Sequence, residues 1–378
     1  MKYFFLFFFL LNCFNIFSQT TLYVNISVSG GSQTGQNWEN AFSDLQTALA
    51  IAEYGDAIWV AKGVYYPTDG LDRNISFVLK NGIKLIGGFN GNETEVSQRD
   101  ILSNETILSG NIGEPHGLDN TLHVLYGAGL DTTTKIDGFI VTKGGAIGGS
   151  GEDANYGGGL LLRPSQDVYC TCPVISNCRF EYNYAGQGGA VCMLRWDIVE
   201  NYVNAIFRNC SLSFNRSRMG GGAICKVGAN GSNTPFIMEN CVISDNSTSM
   251  GYGGGIFFSR VEHTTLLRNC RFERDSAELL DGGGVFFAAG YEEFRGATLT
   301  MDTCTFKNNV ATAGAGFVYL HEFANNVSNP PFKAQILNSL FDGNYSTNGG
   351  GSACYFFGLF KSQISSVRLR SFDIGLIC

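Results

Sequence analysis

The chain has 378 residues, with 25 Lys and Arg against 33 Asp and Glu, and a formal charge of −8. That balance, without a basic cluster anywhere, excludes nucleic acid as the expected partner. Forty-nine glycines and only 15% charged residues suit a densely turned β-protein, and one elongated domain fits the length better than two compact ones.

Met1-Lys2-Tyr3 and the apolar run Phe4 to Leu11 read as the charged start and hydrophobic core of a signal peptide over residues 1–19, with cleavage near Phe17 to Thr20. No later apolar run reaches the ~18 residues that a spanning helix needs, so none is expected. Cys13 follows Asn12, a poor setting for lipid attachment.

Residues 20–62 form the expected N-terminal cap and first rung. Thr21 to Val24 is a short opening strand, and Ala57 to Ala61 is the first buried one. Between them Trp38, Phe42, Leu45, Leu49 and Ala52 are spaced 4, 3, 4 and 3 apart, an apolar stripe on one helix ending near Gly55. Phe77-Val78-Leu79, Ile83 to Ile86, Thr106-Ile107-Leu108, His123-Val124-Leu125 and Ile136 to Val141 carry strands onward. The glycine-rich run from Gly144 to Gly159 then leads into regular repeats.

Those repeats share one phrase. Asn177-Cys178-Arg179-Phe180 leads to Asn183 and Gly188-Gly189-Ala190. Asn209-Cys210, Asn240-Cys241 and Asn269-Cys270 open similar copies, and Thr303-Cys304 and Asn338-Ser339 open looser ones. The marker positions 178, 210, 241, 270, 304 and 339 are separated by 32, 31, 29, 34 and 35 residues. A unit this short cannot bury an apolar face alone and must stack on its neighbours. Its apolar residues alternate in short bursts, and no stretch between Gly222 and Cys241 carries a helical stripe. The expected fold is therefore all-β: a single-stranded parallel β-helix over residues 63–357, behind a short amphipathic capping helix.

In such a coil equivalent residues lie over one another. Cys178, Cys210, Cys241, Cys270 and Cys304 make one inward ladder of small apolar side chains. Two asparagine ladders stand at corners, where amides bond along the stack and left-handed backbone is tolerated. Glycine triplets supply positive φ or close rung contact. Insertions fall between a triplet and the next cysteine slot, so they project from one flank. Twelve cysteines in an exported chain invite disulfides, but the ladder accounts for most of them. Cys170 and Cys172 are the best candidates for a bridge, to each other or to Cys178. Residues 358–378 carry neither the Asn-Cys phrase nor a glycine triplet. They are expected to be an irregular tail, from which a longer C-terminal part has been lost, or which folds back as an improvised cap.

The phrase Phe-x-x-Asn followed by Gly-Gly-Ala-Ile or Gly-Gly-Gly-Ile resembles the repeats of chlamydial polymorphic outer-membrane proteins. Here it stands as Phe180 to Asn183, Phe306 to Asn309 and Phe341 to Asn344, with Leu212, Ile243 and Asp275 as departures. Gly55 to Thr68, Gly87 to Gly91 and Ile107 to Gly113 look like segments of secreted right-handed β-helix proteins of Bacteroidetes. The resemblance implies a right-handed, pectin-lyase-like β-helix at the cell surface or released from it. Relatives often carry a sorting domain or an autotransporter barrel, and nothing in this sequence matches one.

Many polysaccharide lyases and hydrolases use this fold, and each of those chemistries demands its own set of residues. Glycoside hydrolysis needs two carboxyls at a set separation, and Glu292-Glu293 reads better as a solvated turn. Lyase chemistry wants an Arg or Lys base beside calcium ligands. Arg163-Pro164 resembles part of a pectate-lyase motif without its companions. His116, His123, His263 and His321 are scattered without metal-ligand spacing, and His123 reads as a packed strand residue. No residue is assigned a catalytic, cofactor-binding or metal-ligating role. Loop aromatics beside polar groups (Trp196-Asp197 with Tyr202, Tyr291 to Phe294, and Phe323 with Asn325-Asn326) either cover loop bases or make sugar platforms. The expectation is an exported, non-enzymatic, adhesin-like or structural module whose partners are extracellular glycans or another cell surface. The alternative is a polysaccharide-binding or polysaccharide-degrading protein.

Overall fold

The computed structural model describes residues 19–114, 119–165, 170–194, 202–227, 235–259, 264–289, 298–321, 333–357, 361–365, 368–369 and 375–377. The expected signal peptide and Cys13 lie outside the described residues. Within them the chain winds as one right-handed parallel β-helix. Strands of successive coils stack into sheets of 11, 10 and 10 strands, with a shorter row of seven between two of them. Among the described residues, α-helix is confined to Leu45–Ile51.

One coil shows how the repeat builds the rod. Val174–Ser176 lies in the eleven-stranded sheet. Asn177 then turns the chain at φ 52 and Cys178 points inward, before Arg179–Glu181 enters the second sheet. Tyr182 turns it again at φ 58, Asn183 is buried, and Tyr184–Gln187 joins the seven-stranded row. Gly188 (φ 64) swings the chain into Val191–Leu194 of the third sheet. The segments of varying length follow this third strand in the chain and lie outside the described residues.

The glycine slots serve both purposes inferred from the sequence, at neighbouring positions. Gly221 sits at φ 61, where a side chain would be strained. A Cβ on the next residue, Gly222, would come within 2.2 Å of the Gly254 carbonyl oxygen. One glycine is kept for its backbone angle, the other for the closeness of coils.

Inside the rod, Phe180, Leu212, Ile243, Phe272, Phe306 and Phe341 pair in register from coil to coil and are fully buried. The rings of Phe272, Phe306 and Phe341 stack at 4.8 and 4.7 Å. Burying each ring contributes ~2–3 kcal/mol before entropy is charged against it. The five ladder cysteines belong to the same core, and each is a free thiol. Burial pushes the Cys178 thiol up to about 12, so it stays neutral as a packed apolar group.

The two asparagine ladders turn out to do different work. Asn177, Asn209, Asn240, Asn269 and Asn338 are the left-handed ones, with φ of 50–56, and their amides bond along an exposed edge. Asn183, Asn215, Asn246, Asn309 and Asn344 are buried, and the left-handed residue is the one before each. The side-chain oxygens of Asn215, Asn246, Asn309 and Asn344 each accept from the backbone N–H of the preceding ladder residue, as Asn246 Oδ1 does from Asn215 at 3.0 Å, and that of Asn183 accepts from the Gly144 N–H at 2.9 Å. The amide nitrogen donates to the next rung and to a strand carbonyl of the previous coil: Asn215 Nδ2 reaches Asn246 Oδ1 at 3.0 Å and Phe180 O at 2.9 Å. A buried turn that would leave backbone groups unpaired is thereby satisfied by one side chain per coil.

Three expectations need correction. The capping helix is shorter than its apolar stripe, because Asp44 caps it by accepting from the N–H groups of Gln46 and Thr47 at 3.1 and 3.0 Å. Trp38 lies ahead of the helix, packed with Tyr23, Trp59 and Phe89. The strand expected at His123 begins at Leu125 (Leu125–Ala128). The tail is not wholly irregular: Lys361–Ser365, Arg368–Leu369 and Gly375–Ile377 add a strand to each long sheet. Ile364 pairs with Ile336 there, so the sheet continues over Lys361–Ser365 without the Asn-Cys phrase.

The ladders differ in what they can lose. Asn246→Ala orphans the buried Asn215 N–H and the Leu212 carbonyl and should cost ~2–4 kcal/mol. Asn240→Gly, at an exposed left-handed corner, should stay within ~0.5 kcal/mol. Urea unfolding of the two variants beside the parent measures both, and equal losses would contradict the assignment of roles.

Candidate functional site

The outer face of the third sheet is not uniformly polar. Leu161, Cys192 and Cys225 point away from the rod interior yet are fully buried, with Tyr126, Tyr156 and Phe257 packed against them. The strand Leu160–Arg163 is therefore covered on both faces over its first three residues. Where this second apolar row meets the early, less regular coils, a cleft of about 540 Å³ opens. Val78 and Tyr126, paired in register, line it along the sheet. Asn74, Ser76 and His123 line it too, together with the turn Ser150 to Ala154, which brings Glu152 and Asp153.

The turn is placed by glycine and by local backbone bonds. Gly151 adopts φ 122, and the N–H of Tyr156 donates to the Asp153 carbonyl at 3.0 Å. Arg163, at the end of the neighbouring strand, meets Asp153 through Nε at 3.5 Å. The pair is close but poorly matched: Asp153 Oδ1 and Arg163 Nη1 are both buried without a hydrogen-bond partner.

His123 is buried, and its Nδ1 lies 3.0 Å from the Gly157 carbonyl. A carbonyl only accepts, so Nδ1 carries the proton and Nε2 is left as an acceptor. Burial holds this imidazole below its ordinary value, with the charge of Asp153 opposing only in part. Tyr126 is held above the ordinary phenol range, first by burial and then by Asp153. Both groups are therefore neutral near pH 7, and the side chains of the cleft present hydrogen-bonding groups around one aromatic ring.

Of the residues weighed in the sequence, His123 lines the cleft, and Arg163 is tied to it only through its pairing with Asp153. His321 ends the strand Phe317–His321, on the same sheet but several coils away. Tyr202 is buried in a two-residue strand that pairs with Cys170–Thr171. Cys170 and Cys172 are not joined by a disulfide, to each other or to Cys178. His116, His263, Trp196-Asp197, Tyr291 to Phe294, Phe323 and Asn325-Asn326 lie outside the described residues. Tyr126, Glu152 and Asp153 were missed by the sequence reading. The available signal was the Glu-Asp pair interrupting the glycine run from Gly144 to Gly159. Among the described residues, no three His, Cys, Asp or Glu side chains are grouped to hold a metal, and no helix is long and apolar enough to cross a membrane.

A family model described as the right-handed beta helix region matches residues 137–332, just over half of the chain. Among solved structures, the crystal structure of pectate lyase Pel9A is similar at 15% identity and a TM-score of 0.46, over 94% of this chain and 79% of that one. No curated protein matches the chain.

The buried imidazole gives the cleft a pH signature. Because its folded value is depressed, the stability it contributes is complete above ~6.5 and is lost as pH falls toward the folded value. Thermal midpoints of the parent should therefore decline on acidification below about pH 6.5, and His123→Gln should flatten that decline. An unchanged slope in the variant would show that His123 does not titrate as placed.

Proposed function

The chain belongs to the right-handed β-helix family, and from that premise we propose that it is an exported, adhesin-like module that holds polysaccharide against its rod without cleaving it. The observation that carries this reading is the cleft, where the half-buried ring of Tyr126 stands among Asn74, Ser76, Glu152 and Asp153. Sugar rings offer apolar C–H faces and many hydroxyls, and an aromatic ring flanked by amide, hydroxyl and carboxylate groups answers both. The charged, apolar opening of the sequence supports export.

The geometry also argues for binding over turnover. Glu152 and Asp153 are adjacent on one turn, so both carboxyls approach a bound chain from the same side. Glycoside hydrolysis needs two that flank the bond. Arg163 is held against Asp153 at 3.5 Å and largely buried, a poor state for a proton-abstracting base. A second reading, polysaccharide cleavage, is favoured by one observation: His123, with an acceptor nitrogen, lines the same cleft as Asp153.

A glycan array followed by calorimetry on purified protein, with a parallel lyase and hydrolase screen, separates the two. Binding without product is expected, and Tyr126→Ala should weaken it by about tenfold or more, the loss of one stacking contact. Turnover abolished by His123→Gln or Asp153→Asn would establish the enzymatic reading instead.

A further inference from the structure

The buried ladder contains one residue that is not asparagine. Its order is Asn183, Asn215, Asn246, Asp275, Asn309, Asn344, and Asp275 is fully buried. Asp275 performs the accepting half of the role: its Oδ1 receives the N–H and the side-chain amide of Asn246, each at 2.9 Å. Its own N–H donates to Asn309 Oδ1 at 2.9 Å, as at every other rung. The donating half is missing, and Oδ2 is buried with no hydrogen-bond partner.

Oδ2 occupies the place of an amide nitrogen. A Cβ built on Gly159 would lie 3.1 Å from Asn183 Nδ2, and one on Gly284 would lie 3.3 Å from Asn309 Nδ2. The equivalent Gly255 would meet Asp275 Oδ2 at 3.0 Å. In neighbouring coils the nitrogen in that place donates to a strand carbonyl of the coil before: Leu212 O from Asn246 and Phe272 O from Asn309, each at 2.9 Å. It also donates to the next ladder oxygen, as Asn309 does to Asn344 at 3.0 Å. For Asp275 the corresponding groups are the Ile243 carbonyl and Asn309 Oδ1, both acceptors. A carboxylate there would set oxygen against oxygen without water, whereas a carboxylic acid has the one O–H that the slot requires.

We propose that Asp275 is carried in the folded rod as the neutral acid, donating through Oδ2–H, and that losing this proton loosens the coil between Asn246 and Asn309. The charged groups around it do not hold it ionised. Arg274, the nearest cation, is committed to Asp245 at 2.7 and 2.6 Å, with Glu273 at 3.5 Å. Asp245, from the coil before, opposes a second negative charge, and Lys307, from the coil after, pairs in register with Glu273. Burial is the dominant influence and acts in the same direction. A folded acid that keeps its proton longer than the unfolded one gives stability that is complete below ~3.9 and lost as pH rises toward the folded value.

The test is the thermal midpoint of the full chain and of Asp275→Asn from about pH 5 to about pH 8. Comparing the two at each pH cancels the opposite slope from His123. Asparagine restores both donors, so the variant should melt higher than the parent near pH 8, and its advantage should shrink toward pH 5. Hydrogen exchange in the parent, corrected for its intrinsic pH dependence, should rise with pH more in 242–248 and 271–277 than in 179–187. An advantage that is constant or grows toward acid, a variant that fails to fold, or exchange that rises equally in both regions would each overturn the proposal.

Discussion

A closed coil of short strands can stack only if every corner pairs its backbone groups with the coil above or below. At the sheets this happens through the parallel ladders. At the tight turn between the second sheet and the seven-stranded row it depends on a single buried side chain per coil. The amide of asparagine is the side chain that can do this, because it has an acceptor and two donors on a stem short enough to stay within the turn. The stack of Phe180, Leu212, Ile243 and Phe272 beside it is part of the apolar core, but it has no directional preference of its own. The amide ladder fixes which residue lies over which, and so fixes the register of that stack.

The same arrangement explains where the molecule is free to vary. Three corners of each coil are tied by a left-handed residue, a buried amide or a glycine at positive φ. The fourth, after the third sheet, carries the insertions. Function in a rod of this kind collects on that flank and on the sheet beside it, where loops can be lengthened without disturbing the stack. The cleft at Tyr126 and Asp153 lies on this sheet, just before the regular repeats begin. The coils there are irregular enough to leave room for a turn such as Ser150 to Ala154. A poorly matched ion pair is tolerated at such a place and would not be inside the rod.

Much of this was legible in the residues. Cys178, Cys210 and Cys241 recur because one rung lies over the next, and that period is visible without coordinates. The helix at Leu45 and the strands at Ala57 and Phe77 announce themselves by local periodicity. The tail was misjudged because its strands lack the turn phrase that marks the others, and Lys361 to Ser365 holds one apolar residue, too few to show a strand period. The site was harder to see. Tyr126 and Asp153 belong to successive, dissimilar coils, and neither stands in the repeated phrase.

The sequence by itself determined the period, the parallel stacking and the inward cysteines and phenylalanines, since these follow from like residues recurring at one spacing and from apolar alternation. Only the tertiary structure decided which asparagine column turns the backbone and which is buried in its place, because both columns are written with the same letter. It alone brought His123, Tyr126 and Asp153 to one cleft and left the second oxygen of Asp275 without a donor. Those facts depend on which side of a strand a residue faces and on what the adjacent coil places opposite it. Neither is a property of any single stretch of chain.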